Sequence, residues 1–172
     1  YCFPNLQPNC FRAGAKVTEF IAPRNITAIG NYIFYQNANV LTNLVIDCPD
    51  LTSLGCGIVY NRSALRSLTL KCPKVKTIES EAFRNDSGLS EWNLDLRSVT
   101  QYGSYAFYNV KFLNVTADDF NLANVSNVGQ YAFCGGSGLR GGVLRMDRLQ
   151  HVGQYGFRNA VFDVLDMGCG SG

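Results

Sequence analysis

From Val17 onward the chain repeats an apolar pattern of the form L-x-x-L-x-L, clearest as Leu41-x-x-Leu44-x-Ile46, Leu65-x-x-Leu68-x-Leu70, Leu89-x-x-Trp92-x-Leu94 and Val110-x-x-Leu113-x-Val115. Its last two members alternate with polar residues, the period-two signature of a strand with one buried face. Val17-x-x-Phe20-x-Ala22 is a weaker copy, Leu139-x-x-Gly142-x-Leu144 has a gap in its middle, and the final stretch Val161 to Met167 has no readable register. A turn follows each strand, with Pro23, Pro49 and Pro73 in three of them, and then a second apolar pair. These pairs are Ile26/Ile29, Leu51/Leu54, Val75/Ile78, Val99/Tyr102, Val125/Val128 and Leu149/Val152. The second member of each opens a hexapeptide, best preserved as Val128-Gly129-Gln130-Tyr131-Ala132-Phe133 and Val152-Gly153-Gln154-Tyr155-Gly156-Phe157.

The hexapeptides end at residues 34, 59, 83, 107, 133 and 157, which are steps of 25, 24, 24, 26 and 24. A period of this size points to a leucine-rich-repeat solenoid, because other common repeats are longer. Every unit turns the same way, so successive strands must lie parallel. The expected fold is α/β: a horseshoe-like solenoid with one parallel sheet and short helical turns or irregular segments opposite. The Tyr-Ala-Phe segment is too short for a long helix and reads as a single helical turn. Its Phe, at 34, 83, 107, 133 and 157, should form a buried spine. A Gly in five of six units, directly after the second apolar pair, marks a positive-φ turn or close backbone packing. Asn61, Asn85, Asn109 and Asn159 stand two residues beyond the spine position, where Asn can bond its own backbone and tolerate left-handed geometry. Residues 1–14 read as an N-terminal cap or worn repeat, and 15–172 as one solenoid of about six repeats plus a partial seventh. That last strand would leave an apolar end open, so further repeats or another domain are expected beyond it.

An apolar strand followed by V-x-x-[VI]-G-x-Y-A-F resembles the BspA-like class of leucine-rich repeats, found in bacterial and protozoan surface proteins. The resemblance implies an extracellular or surface-attached binding module, often one part of a long adhesin, with no catalytic residues to carry over. Asn replaces the Cys or Ser-rich corners frequent in that family, and only Cys134-Gly-Gly-Ser-Gly138 comes close.

Composition narrows the function further. Charged residues are 16% of the chain and the net charge is +2, without the dense basic face a nucleic-acid binder needs. No apolar run approaches the ~18 residues of a membrane span. The seven cysteines include no CxxC pair, and His151 is the only histidine, which argues against a structural zinc site. Cys48 and Cys72 fall in one slot of successive repeats and read as stacked buried thiols, since parallel side chains lack the converging Cβ vectors of a disulfide. Cys2 and Cys10 could clip the N-terminal segment.

His151 sits in a turn, where exposure fits better than a catalytic role. Asp118-Asp119 and Glu79/Glu81 read as solvated loop residues, because their spacing matches no calcium loop. Gly135-Gly136-Ser137-Gly138 lacks the Lys-Ser/Thr and long helix of a phosphate cradle. No catalytic residue, metal or cofactor is expected, and the chain is not read as an enzyme. Five N-x-S/T sequons, at Asn25, Asn61, Asn85, Asn114 and Asn124, would be glycan sites in a secreted eukaryotic protein.

What remains is the solvent face of the strands. It comprises Glu19, Asn43, Val45, Asp47, Ser67, Thr69, Lys71, Glu91, Asn93, Asp95, Phe112, Asn114, Val143 and Arg145. Asp47, Lys71 and Asp95 should be neighbours of alternating charge. The candidate ligand-binding residues are Glu19, Asn43, Asp47, Ser67, Lys71, Glu91, Asn93, Asp95, Phe112 and Arg145, with Phe112 as an exposed aromatic anchor. The leading expectation is an adhesion or interaction module for a protein or glycan on a host or matrix surface. The competing one is a spacer or fibre segment, virion fibres included, that holds a distal binding domain.

Overall fold

The alternating segments do form strands. The computed structural model describes residues 4–11, 16–34, 40–61, 64–135 and 138–168, and over these the chain winds as a parallel β-solenoid of about six turns. Asn43–Asp47, Ser67–Lys71 and Glu91–Asp95 are five-residue strands. They pair in parallel with identical slots opposed, so that Leu44 faces Leu68 and Leu68 faces Trp92. Glu19–Ile21 extends this sheet on one side. The inward members Leu44, Ile46, Leu68 and Leu70 are fully buried.

The second apolar pairs make two-residue strands that stack the same way. Asn5–Leu6, Ala28–Ile29 and Ser53–Leu54 form one parallel set. Thr77–Ile78, Gln101–Tyr102, Asn127–Val128 and His151–Val152 form another. Residues 5 to 11 thus lie on the first full turn as a rung does, with Phe11 stacked on Phe34 at 5.4 Å. Between the two strand ladders lies the core. Its spine phenylalanines stack face to face, Phe83 on Phe107 at 5.2 Å, Phe107 on Phe133 at 5.7 Å and Phe133 on Phe157 at 5.6 Å.

The helical half of the expectation fails. Among the described residues the only helix is a single 3₁₀ turn, Leu122–Asn124. The reason is local: the residue two before each spine position has φ near +60°, at Tyr32, Gly57, Glu81, Tyr105, Tyr131 and Tyr155, and one left-handed residue breaks a right-handed helical turn. Backbone groups in this segment therefore bond to the adjacent rung. Tyr105 N–H donates to Gln130 O at 2.8 Å, Phe107 N–H to Ala132 O at 2.8 Å and Asn109 N–H to Cys134 O at 2.7 Å. The corner residues Asn61, Asn85, Asn109 and Asn159 are left-handed as expected, with φ from 56 to 68°. Of the two readings of the repeated Gly, close packing holds. A Cβ on Gly129 would lie 2.5 Å from Ser104 N and 2.6 Å from Gly103 C, both backbone atoms of the preceding rung.

The expected single sheet is also broken. The long-strand ladder stops at Glu91–Asp95 and resumes only with Arg140–Arg145, which pairs with Val161–Asp166. In the fifth repeat the segment expected as a strand turns instead. Asn114 is left-handed, and the Asp119 carboxylate accepts hydrogen bonds from Thr116 N–H at 2.7 Å and Thr116 Oγ1 at 3.1 Å. Of the pattern Val110-x-x-Leu113-x-Val115, Val110 and Val115 are buried as expected and only the middle position is displaced. Leu113 is 42% exposed, and Phe112 takes the interior.

Two stability outcomes follow from this packing. Phe107→Ala should cost ~3 to 5 kcal/mol in urea unfolding, against ~0.5 kcal/mol or less for Thr69→Ala on the outward side of its strand. Similar costs at both sites would contradict the assigned faces. Gly129→Ala should cost ~3 kcal/mol, the upper end for overpacking, because the atoms it strikes are backbone and cannot rotate away. A melting temperature unchanged by that methyl would refute the rung-to-rung contact.

Candidate binding faces

The sheet built by the alternating residues displays its polar positions in rows. Glu19 stands beside Asn43, Asn43 beside Ser67 and Ser67 beside Glu91; Val45, Thr69 and Asn93 form a second row, and Asp47, Lys71 and Asp95 a third. The structure therefore gathers eight of the ten candidates, Glu19, Asn43, Asp47, Ser67, Lys71, Glu91, Asn93 and Asp95, on one outward face, where each is exposed or half-exposed.

Within the third row the charges alternate by register, yet the carboxylates find arginines outside it. Asp47 accepts from Arg24 Nη1 at 2.6 Å, and Asp95 is gripped by Arg97 Nε and Nη2 at 2.8 and 2.7 Å. The Arg97 hydrogen bonds hold the Asp95 carboxyl below the usual carboxylate range, with Lys71 adding a smaller push in the same direction. Surface pairs of this kind contribute ~0 to 1 kcal/mol, so the row remains available to a partner.

Two candidates do not join the face. Phe112 was expected as an exposed aromatic anchor, but it is 4% exposed. It stacks on Trp92 at 6.2 Å and meets Phe120 edge-on at 5.7 Å. Beside the left-handed Asn114, Phe112 and Leu113 exchange places, which puts this ring inside. Arg145 is exposed but belongs to the separate strand pair, 3.9 Å from Asp166.

A second row was not foreseen. The left-handed slot puts Tyr105, Tyr131 and Tyr155 on successive rungs, with ring centroids 5.1 and 5.0 Å apart. Tyr108 meets Tyr105 and Tyr131 edge-on at 5.5 and 5.8 Å. Arg84 lies 4.6 Å from the Tyr105 centroid and 5.5 and 5.6 Å from Tyr60 and Tyr108, and Arg158 caps Tyr155 at 5.5 Å. The signal was present in the sequence as Tyr recurring at one slot of the hexapeptide. Reading that slot as helical hid it.

Of the side chains weighed for chemistry, His151 is exposed on its short strand, and Asp118 and Asp119 are exposed in the turn of the fifth repeat. Among the described residues no group of three or more His, Cys, Asp or Glu side chains could hold a metal ion. No described helix is long and apolar enough to cross a membrane. Asn25 and Asn114 are exposed, whereas the amides of Asn85 and Asn124 donate to Asn61 Oδ1 and Asn121 Oδ1. Arg62 and Ser63 of the Asn61 sequon, and Gly136 and Ser137 of the glycine-rich run, lie outside the described residues.

Cys48 and Cys72 are buried free thiols, as expected, with Sγ 3.4 Å from Pro23 O and 3.7 Å from Ile46 O. Cys10 is also a free thiol, and Cys2, its expected partner, lies outside the described residues. Burial pushes the Cys72 thiol up to about 12 and raises Cys10, Cys48, Cys56 and Cys134 too. An activated nucleophile requires the opposite shift.

A repeating coil of parallel strands with ordered outward rows places the protein in the leucine-rich-repeat class of solenoids. The model of one family, the BspA type leucine rich repeat region, matches residues 4–140 in six copies, and the chain belongs to that family. No curated protein matches the chain.

Alkaline stability follows from the buried thiols. Because the Cys72 pKa is raised in the folded state, the unfolded chain loses that proton first above pH 9, and stability should fall from there toward about pH 12. Cys72→Ala should flatten this decline relative to the parent while lowering stability at pH 7. An identical slope in thermal melts between pH 8 and 10.5 would show that Cys72 does not govern it.

Proposed function

We propose that this segment is a non-catalytic interaction module whose outward strand face docks a partner, most directly a protein on a host or matrix surface. The observation that supports it most is the face itself. Three rows of outward side chains, all polar except Val45, run in register across adjacent strands, which is the kind of extended platform solenoids use for recognition. Repeat modules of this family generally serve protein interaction, and the reading carries with it a location at the cell surface or outside the cell. A glycan ligand on the same face, and further repeats or domains in the same chain, belong to the proposal as well.

The spacer or fibre reading draws on a different feature: rung-to-rung bonding throughout the coil makes a stiff rod whether or not its surface binds anything. A binding titration separates the two. With the segment displayed and screened against host matrix proteins and glycans, Glu91→Lys should reduce affinity for the captured ligand about tenfold or more, the scale of a misplaced interfacial charge. The same variant should leave the melting temperature within about 2 °C, since Glu91 is exposed. Retained affinity in Glu91→Lys and in Asn93→Arg would remove the strand face as the site and favour the spacer.

A further inference from the structure

We propose that the tyrosine row of the left-handed slot, with Arg84 and Arg158 at its ends, is a second ligand-binding surface and that it takes an acidic polysaccharide. Tyr131 stacks on Tyr105 at 5.1 Å and has Tyr155 tilted against its other side at 5.0 Å. Its ring faces are thus occupied, and what the row offers solvent is ring edges and phenolic hydroxyls. Gln130 Nε2 already donates to Tyr105 Oη at 3.2 Å on this surface, in an exposed bond. Tyr155 is 46% exposed, and Tyr105, Tyr108 and Tyr131 are half-exposed.

This chemistry does not suit an apolar anchor, which needs a pocket to fill. It suits a chain bearing a polar group at each step, because the same hydroxyl recurs once per rung. Extended peptides match poorly. Their same-face side chains recur every ~6.6 Å, twice the rise of a strand, while the tyrosines recur at about the spacing of stacked strands. A pyranose advances along an extended polysaccharide by a distance comparable to one rung.

The charge points to an acidic ligand. Arg84 lies against three tyrosine rings and pairs with Glu81. Arg158 has no carboxylate within ion-pair distance among the described residues. Carboxylate or sulfate groups on a polysaccharide would pair with Arg158 and approach Arg84, and its hydroxyls would bond the phenols.

The test uses the whole chain against immobilised heparin for sulfate, hyaluronate for carboxylate, dextran as the neutral control and poly-glutamate as the acidic peptide. The parent should bind heparin or hyaluronate and not dextran, with affinity falling as salt rises. The combined Tyr105→Phe, Tyr131→Phe and Tyr155→Phe variant keeps the ring stack and should lose about tenfold in affinity, the scale of one or two hydrogen bonds. Arg158→Gln should lose several-fold, and Gln101→Ala, exposed on the short-strand ladder, should bind as the parent does. Which of the two acidic polysaccharides binds tells sulfate from carboxylate recognition. Unchanged binding by both variants, equal binding to dextran, tighter binding to poly-glutamate, or no binding to either polysaccharide would each overturn the proposal. Failure here leaves the strand face untouched, because neither the tyrosines nor Arg158 lie on the strands that carry that face.

Discussion

Backbone hydrogen bonding between rungs governs the rest of this molecule. Even in its turns, N–H and C=O groups find partners one repeat away: Gly103 N–H donates back to Ile78 O at 2.8 Å, while Tyr105 and Phe107 donate forward to Gln130 and Ala132 at 2.8 Å. Buried backbone groups must be paired, and a coil has no local helix to do it. Each turn therefore needs a neighbour with the same backbone path, which keeps the repeat near 24 residues and puts a left-handed residue at one slot of every described hexapeptide and at most of the corners. A left-handed non-glycine residue costs ~1 to 2 kcal/mol. The forward bonds and the stacked tyrosine rings offset that cost rung by rung.

The fifth repeat shows what happens when one rung departs from the pattern. Its chain turns at Asn114 instead of forming a long strand, and the sheet is interrupted there. Aromatic packing fills the gap: Phe112, Phe120, Trp92, Phe107 and Phe133 meet in one cluster, with centroid distances from 5.2 to 6.4 Å. Tyr102 closes it from the other ladder, its buried hydroxyl donating to Phe120 O at 2.5 Å. The short-strand ladder passes the same level without a break, since Gln101–Tyr102 pairs directly with Asn127–Val128. Continuity on one side allows irregularity on the other. The outward strand face consequently ends at Glu91–Asp95, and Arg145 stands on a different patch.

Period and alternation were legible in the sequence because they are set by nearest-neighbour burial. Leu44, Leu68 and Phe107 could be placed inside from spacing alone, as could the corner asparagines, whose residue type betrays the left-handed backbone. The hexapeptide turn was harder. Tyrosine gives no hint that it sits at positive φ, and contacts with the neighbouring rungs stabilise it there. Phe112 was misplaced for a related reason: strand alternation carries a register forward only while the strand continues, and the turn around Asn114, Thr116 and Asp119 uses residues equally at home in an edge strand or a loop. The candidate face was legible where the repeat is regular and failed where one rung is not.

The two surface rows differ in a way that bears on evolution of binding in a coil of this type. Residues on the strand face, such as Thr69 and Asn93, point outward from a backbone already held by its neighbours, so they can change without disturbing the fold. Tyr131 has no such freedom. Its ring packs against those of the rungs before and after it, and its left-handed backbone depends on their hydrogen bonds. Selection for stability then keeps an aromatic row even where no ligand uses it, and the hydroxyls along it are what a ligand can select. The strand face can specialise toward one partner, whereas the tyrosine row is confined to ligands that share its period.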